Sequence, residues 1–272
     1  MKTTSKTEHI KELINQGLAS LTQDLEKGKS HQLNAYIAAM ARFHRYSFRN
    51  IMLITRQRPG AAQVAGFRAW KKLGRYVKPG ETGIVIIAPV AMRKRAAQLA
   101  AGDDEEERLL GFKAAHVFDV TQTEGDPLPE PAAVTGDPRD YTLRLKDYIK
   151  AQDIALEYPN DLAGAEGASH GGRIAIRKGL APAAEFSVLV HELAHEMLHW
   201  TGERAGLSKA VQETEAEAAA FIVSSAIGLE TGTASSDYIQ LYNGSPDILE
   251  TSLDAVRKAA SQIIAAIQPS GA

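Results

Sequence analysis

At 272 residues, 44% of them hydrophobic, the chain can bury a sizeable core as one large domain or two ordinary ones. It has no cysteine, which excludes disulfides and thiolate metal sites. It also shows neither an apolar signal region at its start nor an apolar run near membrane-span length, so a soluble, cytoplasmic protein is expected. The net charge of −2 conceals an asymmetry: residues 1–100 carry 18 Lys and Arg against 5 Asp and Glu (net +13), and residues 101–272 carry 13 against 28 (net −15), which suggests two modules with different partners.

In chain order, apolar spacing predicts helices over 7–27 and 31–45 and a shorter one from Ser47 to about Gln57, stopped by Pro59-Gly60. Val64 to Gly66 follows, then a short helical Phe67–Leu73, and after the Pro79-Gly80 turn a strand Gly83–Val90. Residues 91–108 read as a solvated charged insert, and Lys113–Val120 as a strand able to pair with 84–90.

Between Glu26 and Glu81 there is no acidic residue, while twelve basic ones occur, interleaved with Tyr36, Phe43, Tyr46, Phe48, Phe67, Trp70 and Tyr76. Cations neutralise phosphates and aromatic faces stack on exposed bases, so single-stranded DNA is the expected partner. The contacts expected are Arg45, Arg49, Arg56, Arg58, Lys71, Lys72, Arg75 and Lys78, with Trp70 as the stacking aromatic. Against that, Leu33, Tyr36, Ile37, Met40 and Phe43 follow helical spacing and suit a core, and Trp70 equally suits a core anchor.

Residues 123–140, with four prolines and two glycines, read as a linker between domains 1–122 and 141–272. A helix from Tyr141 to about Ala151 leads into strand Ile154–Tyr158, a glycine-rich turn Gly164–Gly172 containing His170, and strand Gly172–Ile176. The two strands are expected to form a small sheet whose edge could hold an extended peptide.

The next helix begins near Pro182, stops at Thr201-Gly202 and contains His191-Glu192-Leu193-Ala194-His195. On a helix, residues four apart lie about 6 Å from one another on one face, so both imidazoles can grip one zinc ion. Glu192 stands at the edge of that face, where it can serve as general base toward the attacking water. Apolar flanks at Val188, Leu189, Val190, Leu193 and Leu198 imply burial. His199 is about 12 Å along the axis from His191, too far to join both on one ion, and is expected beside the site or at the helix end.

A second helix runs from an N-cap at Ser208 to a stop at Gly228 and supplies the third-ligand candidates. Glu215 falls within its apolar stripe of Val211, Ala218, Ala219, Ile222 and Ala226, where a carboxylate is costly unless paired or bound to metal. Glu213 and Glu217 fall away from the stripe. Glu215 is therefore the expected ligand, with Glu217 in reserve; its distance of twenty residues from His195 resembles that of thermolysin-like zinc peptidases. Tyr238 and Tyr242 suit core packing or a hydroxyl near the metal, and an amphipathic helix over 246–267 closes the chain.

Asn50, Gln57-Arg58-Pro59, Val64 through Arg75, Lys78-Pro79-Gly80-Glu81, Gly83-Ile84 and Val117-Phe118-Asp119-Val120-Thr121-Gln122-Thr123 together resemble the N-terminal domain of ArdC-type antirestriction proteins. The C-terminal half resembles the ImmA/IrrE-like zinc peptidase domain that accompanies it, with Glu215-Ala216 and Ala220 matching its third-ligand motif. The resemblance implies an α+β protein of two domains: one binds single-stranded DNA, and the other is a zincin-like metallopeptidase fold. It implies zinc as cofactor, a protein substrate or restriction-system component as further partner, and protection of incoming mobile DNA from host restriction. The alternative is a DNA-binding protein whose zinc domain is structural or vestigial.

Overall fold

The structure is a computed structural model that describes residues 2–28, 30–92, 108–128, 138–200, 202–229, 241 and 246–268. Residues 93–107 of the expected insert, residues 129–137 of the expected linker, and Tyr238 and Tyr242 lie outside the described residues. The chain is α+β and forms two compact units. One comprises Met1–Gly17 with Arg49–Leu128; the other comprises Leu18–Phe48 with Pro129–Ala272. This division differs from a boundary at residue 122, because residues 18–48 belong to the second unit.

The helices are α1 (Lys2–Glu26), α2 (His31–Phe43), α3 (Phe48–Gln57), α4 (Phe67–Lys72), α5 (Arg139–Ala151), α6 (Pro182–Leu198), α7 (Lys209–Ala226) and α8 (Pro246–Ile267). The strands are β1 (Val64–Gly66), β2 (Arg75–Val77), β3 (Ile84–Met92), β4 (Arg108–Asp119), β5 (Thr123–Gly125), β6 (Ala155–Glu157), β7 (Gly167–Ser169) and β8 (Arg173–Ile176).

In the first unit β1, β4 and β3 form an antiparallel sheet in that order, and alternation turns Ile84, Ile86 and Val117 into the core. An edge strand leaves a row of backbone donors and acceptors open. Two amides one heptad apart on α3 close part of the β3 edge. The Asn50 side chain accepts from Ile87 N–H at 2.8 Å and donates to its carbonyl at 2.8 Å; Gln57 does the same for Val85, at 2.9 Å each way.

At the end of β4, Asp119 is fully buried and accepts from the Ala62, Gln63 and Thr121 backbone N–H groups and the Thr121 hydroxyl. Burial alone would raise its pKa, but these donors outweigh it and hold the carboxyl below the usual range. Gln122 extends the network to Glu81 and Thr82. Residues 123–125, which composition assigns to a linker, instead pair antiparallel with Arg75–Val77.

In the second unit α7 is the central helix, packing against α2, α6 and α8. Four of the nine buried residues on α7 are alanines, at 216, 218, 219 and 220, and small side chains there let α6 approach closely. That approach brings the α6 histidines within reach of the α7 carboxylates. The large aliphatics come from α8, where Leu249, Leu253, Val256, Ile263 and Ile264 are fully buried, each contributing about 1.5–3 kcal/mol. The small sheet has the order β6-β8-β7, with β6 parallel and β7 antiparallel to β8. Sequence patterning found β6 and β8. It missed β7, whose Gly-Ala-Ser composition lacks the branched and aromatic residues that mark strands.

Candidate metal centre

Pro182 at the first turn of α6 and Ser208 at the N-cap of α7, its hydroxyl accepting from Val211 N–H, fix the two helices that build the site. His191 Nε2 and His195 Nε2 are 3.1 Å apart, and Glu213 Oε2 lies 3.4 Å from the first and 3.5 Å from the second. Ligand atoms about 2.1 Å from a tetrahedral ion are about 3.4 Å from one another, so the spacing and the N/N/O donor set fit a divalent metal. These three residues form the potential metal cluster found among the described residues. Glu217 stands at 3.6 Å from His191 Nδ1, on the other side of the ring.

Glu215 lies elsewhere. Its side chain is fully buried, with one oxygen 2.9 Å from His199 Nε2 and the other bonded to the Arg204 guanidinium. The expectation that a carboxylate in the apolar stripe must have a partner holds. Here the partners are a guanidinium and an imidazole, and the carboxylate facing the histidine pair is Glu213. Arg204, from a 3-10 turn at Glu203–Gly206, went unnoticed because that turn has no periodic signal.

His199 caps the C-terminus of α6, and its ring also meets His195, Nδ1 to Nδ1, at 2.9 Å. Glu192 is buried beside His191, and desolvation pushes its carboxyl up to about 7, with Glu213 and Glu196 adding to the rise and His191 opposing it. A base poised near neutrality is suited to proton transfer. The cleft, about 760 Å³, is lined by His191, Glu192, His195, Glu213, Trp200 and the β7 backbone, among others.

Strand β7 runs directly over the base. A Cβ on Gly167 would stand 2.6 Å from Glu192 Oε1 and from Val188 Cγ1, so only glycine fits there without displacing them. The loop after β7 is pinned by Glu196, which accepts from Ser169 Oγ and from the backbone N–H groups of His170, Gly171 and Gly172. His170 is exposed in this turn and does not line the cleft.

Burial lowers the pKa of His195 to about 4, with the positive charge of His191 adding to it, and lowers that of His199 to about 4, aided by Arg204. Between pH 4 and 6.5 both rings are therefore neutral in the native state and become protonated on unfolding. The unfolded chain binds more protons, and stability rises with pH. Glu192 opposes this by holding a proton in the native state between its ordinary 4.5 and about 7, and His191, whose pKa Glu217, Glu192 and Glu213 raise against its desolvation, opposes it only as the pH nears 6.5. The melting temperature of the metal-free chain should rise from pH 4.5 to 6.5; a profile falling across that window would contradict these environments.

The residues expected to contact DNA are divided by the structure. Arg49, Arg56, Arg58, Lys71, Lys72, Arg75 and Lys78 lie in the first unit and Arg45 in the second, where it bonds Gln268. Arg56 Nη2 reaches Gln16 at 3.5 Å. Arg58, Arg75 and Lys78 are engaged within the unit, with Thr121, with Thr123 and with the Thr121 carbonyl respectively. Arg49, Lys71 and Lys72 are exposed. Trp70 is a core residue, 2% exposed, with its indole N–H donated to the Phe118 carbonyl at 2.8 Å. The expectation that it stacks on a base is corrected by this burial, since the six-residue helix α4 turns Trp70 inward. The exposed aromatics near it are Phe67, at 56%, and Tyr76, at 54%, which composition had named without singling out.

Comparison with known proteins adds three findings. Residues 4–118 match the family of the N-terminal domain of anti-restriction factor ArdC. An uncharacterized protein of Bacillus anthracis is 27% identical over 282 residues, covering 88% of this chain and 48% of that protein, so the chain spans about half the length of the curated relative it matches. Two crystal structures of the antirestriction ArdC protein from the R388 plasmid share the fold. The metal-free one has a TM-score of 0.54 at 14% identity, covering 93% of this chain and 97% of that one. The Mn(II)-bound one has a TM-score of 0.53 at 16% identity, covering 94% and 98%. No helix among the described residues is long and apolar enough to cross a membrane.

Proposed function

We propose that this chain, whose residues 4–118 match the family of the N-terminal domain of anti-restriction factor ArdC, is an ArdC-type protein that protects incoming mobile DNA from restriction in the cytoplasm. In this reading the N-terminal region holds single-stranded DNA, and the C-terminal unit is a zincin-like, zinc-dependent peptidase. The observation that carries the second part is the convergence of His191 Nε2, His195 Nε2 and Glu213 Oε2 beside a Glu192 carboxyl pushed up to about 7. Those three residues would hold a divalent ion, which would supply Lewis acidity. Glu192 takes the proton of the attacking water and returns it to the leaving amine. The open edge of β7, passing over Glu192, offers backbone groups to an extended peptide, which aligns it along the cleft.

The DNA part rests on the acid-free stretch between Glu26 and Glu81 together with Phe67 and Tyr76, which stand exposed among Arg68, Lys71, Lys72 and Lys78. Stacking contributes roughly 1–3 kcal/mol per base and needs a base face that a duplex does not present. Phe67→Ala and Tyr76→Ala should each lower single-strand affinity about 5- to 100-fold at unchanged melting temperature. Trp70→Ala should lower stability and binding together. Equal binding to single strands and duplex would reduce the surface to a nonspecific cationic one. For the peptidase, a restriction-protection assay compares wild type with Glu192→Gln at equal metal content and stability. Loss of protection supports hydrolysis, and full protection favours a DNA-binding protein with a vestigial metal domain.

A further inference from the structure

Behind the three candidate ligands lies a row of side chains that the proposed chemistry does not use. Arg204 bonds one oxygen of Glu215, and Glu215 Oε2 lies 2.9 Å from His199 Nε2. His199 Nδ1 lies 2.9 Å from His195 Nδ1, and His195 Nε2 faces His191 and Glu213. Glu215 is fully buried, and the His199 side chain is 4% exposed. Arg204 also reaches Ser252 on α8 at 3.3 Å, so the far end of the row is tied to a third helix.

We infer that Arg204, Glu215 and His199 form a relay that fixes the tautomer and ring orientation of His195, presenting its Nε2 lone pair to the metal site. Proton placement follows along the row. A carboxylate paired with a guanidinium has no proton to give, so His199 Nε2 donates to Glu215. A neutral His199 then carries a lone pair on Nδ1. Of two Nδ1 atoms facing each other at 2.9 Å one must donate, and that is His195 Nδ1–H. The Nε2 of a neutral His195 is left unprotonated, and it is the atom that points toward His191 and Glu213. A free histidine side chain prefers its proton on Nε2, so the relay selects the less common tautomer, the one a metal requires here. Outer-shell carboxylates serve metal-bound histidines in this way. In this chain the carboxylate acts through a second imidazole, because Glu215 meets His199, which stands one helical turn along α6 from His195.

The role of the relay rests on the metal-centre reading, while its proton positions do not, and one set of measurements separates the two. The full chain, metal-free and labelled with 15N-histidine, is examined at pH 7.5 by long-range proton–nitrogen NMR. His195 is expected to be protonated on Nδ1 only, and His199 on Nε2 only. His195 protonated on Nε2, or His199 protonated on both nitrogens, overturns the relay, and this readout needs no variant to fold. Titration with Zn2+ alone then compares His199→Phe, expected to bind about 10- to 100-fold more weakly, with His199→Gln, whose amide oxygen can accept from His195 Nδ1–H and should recover part of the loss. Unchanged affinity in a folded His199→Phe overturns the positioning role. If His191→Ala also leaves Zn2+ affinity unchanged, the metal centre itself is wrong, whatever the tautomers are.

Discussion

Glu213→Gln is expected to weaken Zn2+ and Mn2+ binding by more than about 100-fold while barely moving the melting temperature of the metal-free chain. The loss should exceed the roughly 10- to 100-fold that an outer-shell partner costs, because a charged oxygen facing both histidine Nε2 atoms is removed outright. The small stability effect follows from exposure: the Glu213 side chain is 48% accessible, and its bonds are to rings that lose little when it leaves. Calorimetric titration of the metal-free chain measures both metals. Unchanged affinity in Glu213→Gln would remove it from the ligand set.

Glu215→Ala should do the reverse in kind, destabilising the chain by about 3–5 kcal/mol with or without metal. The carboxylate is fully buried, and its removal leaves the Arg204 guanidinium and the His199 Nε2–H without their acceptor in an apolar setting. The apolar residues that share its stripe, Val211, Ala218, Ala219 and Ile222, offer no acceptor, and the Ser252 hydroxyl 3.3 Å from Arg204 carries no charge to replace the carboxylate. Urea unfolding of the metal-free protein separates this from a ligand role. A true ligand would show its cost mainly when metal is present, whereas a midpoint unchanged in Glu215→Ala would contradict the buried pair.

The contrast between these two glutamates shows where sequence reasoning reached and where it stopped. His191, Glu192 and His195 were legible because four-residue spacing on a helix is local geometry that no tertiary contact can alter. Choosing the third ligand by depth in the α7 stripe was a different kind of inference. It identified the carboxylate with the greatest need for a partner, and that need is met by Arg204 and His199, whereas the carboxylate facing the histidine pair is Glu213, at the exposed rim of α7.

The same distinction holds in the first unit. Its helices and both strands of the β3–β4 hairpin follow from periodicity and from Pro-Gly turns. The work of Asn50 and Gln57 at the β3 edge, and of Asp119 in the turn beyond β4, depends on partners 28 to 57 residues away that no local pattern names. A faint signal existed: two amides seven residues apart on one helix, flanking the apolar run Ile51, Met52, Leu53 and Ile54, are unusual unless both meet backbone. Trp70 could not be assigned from the sequence because burial and stacking reward the same side chain. The indole N–H bonded to the Phe118 carbonyl decides it.

The proposed metal site of His191, His195 and Glu213, between α6 and α7, can be seen by diffraction from crystals of the full chain grown with Mn2+, measured across the manganese absorption edge. An anomalous peak bonded to His191 Nε2, His195 Nε2 and a Glu213 oxygen is expected, with Glu215 still bound to Arg204 and His199. A peak bonded to Glu215 instead, or none between α6 and α7, would contradict it.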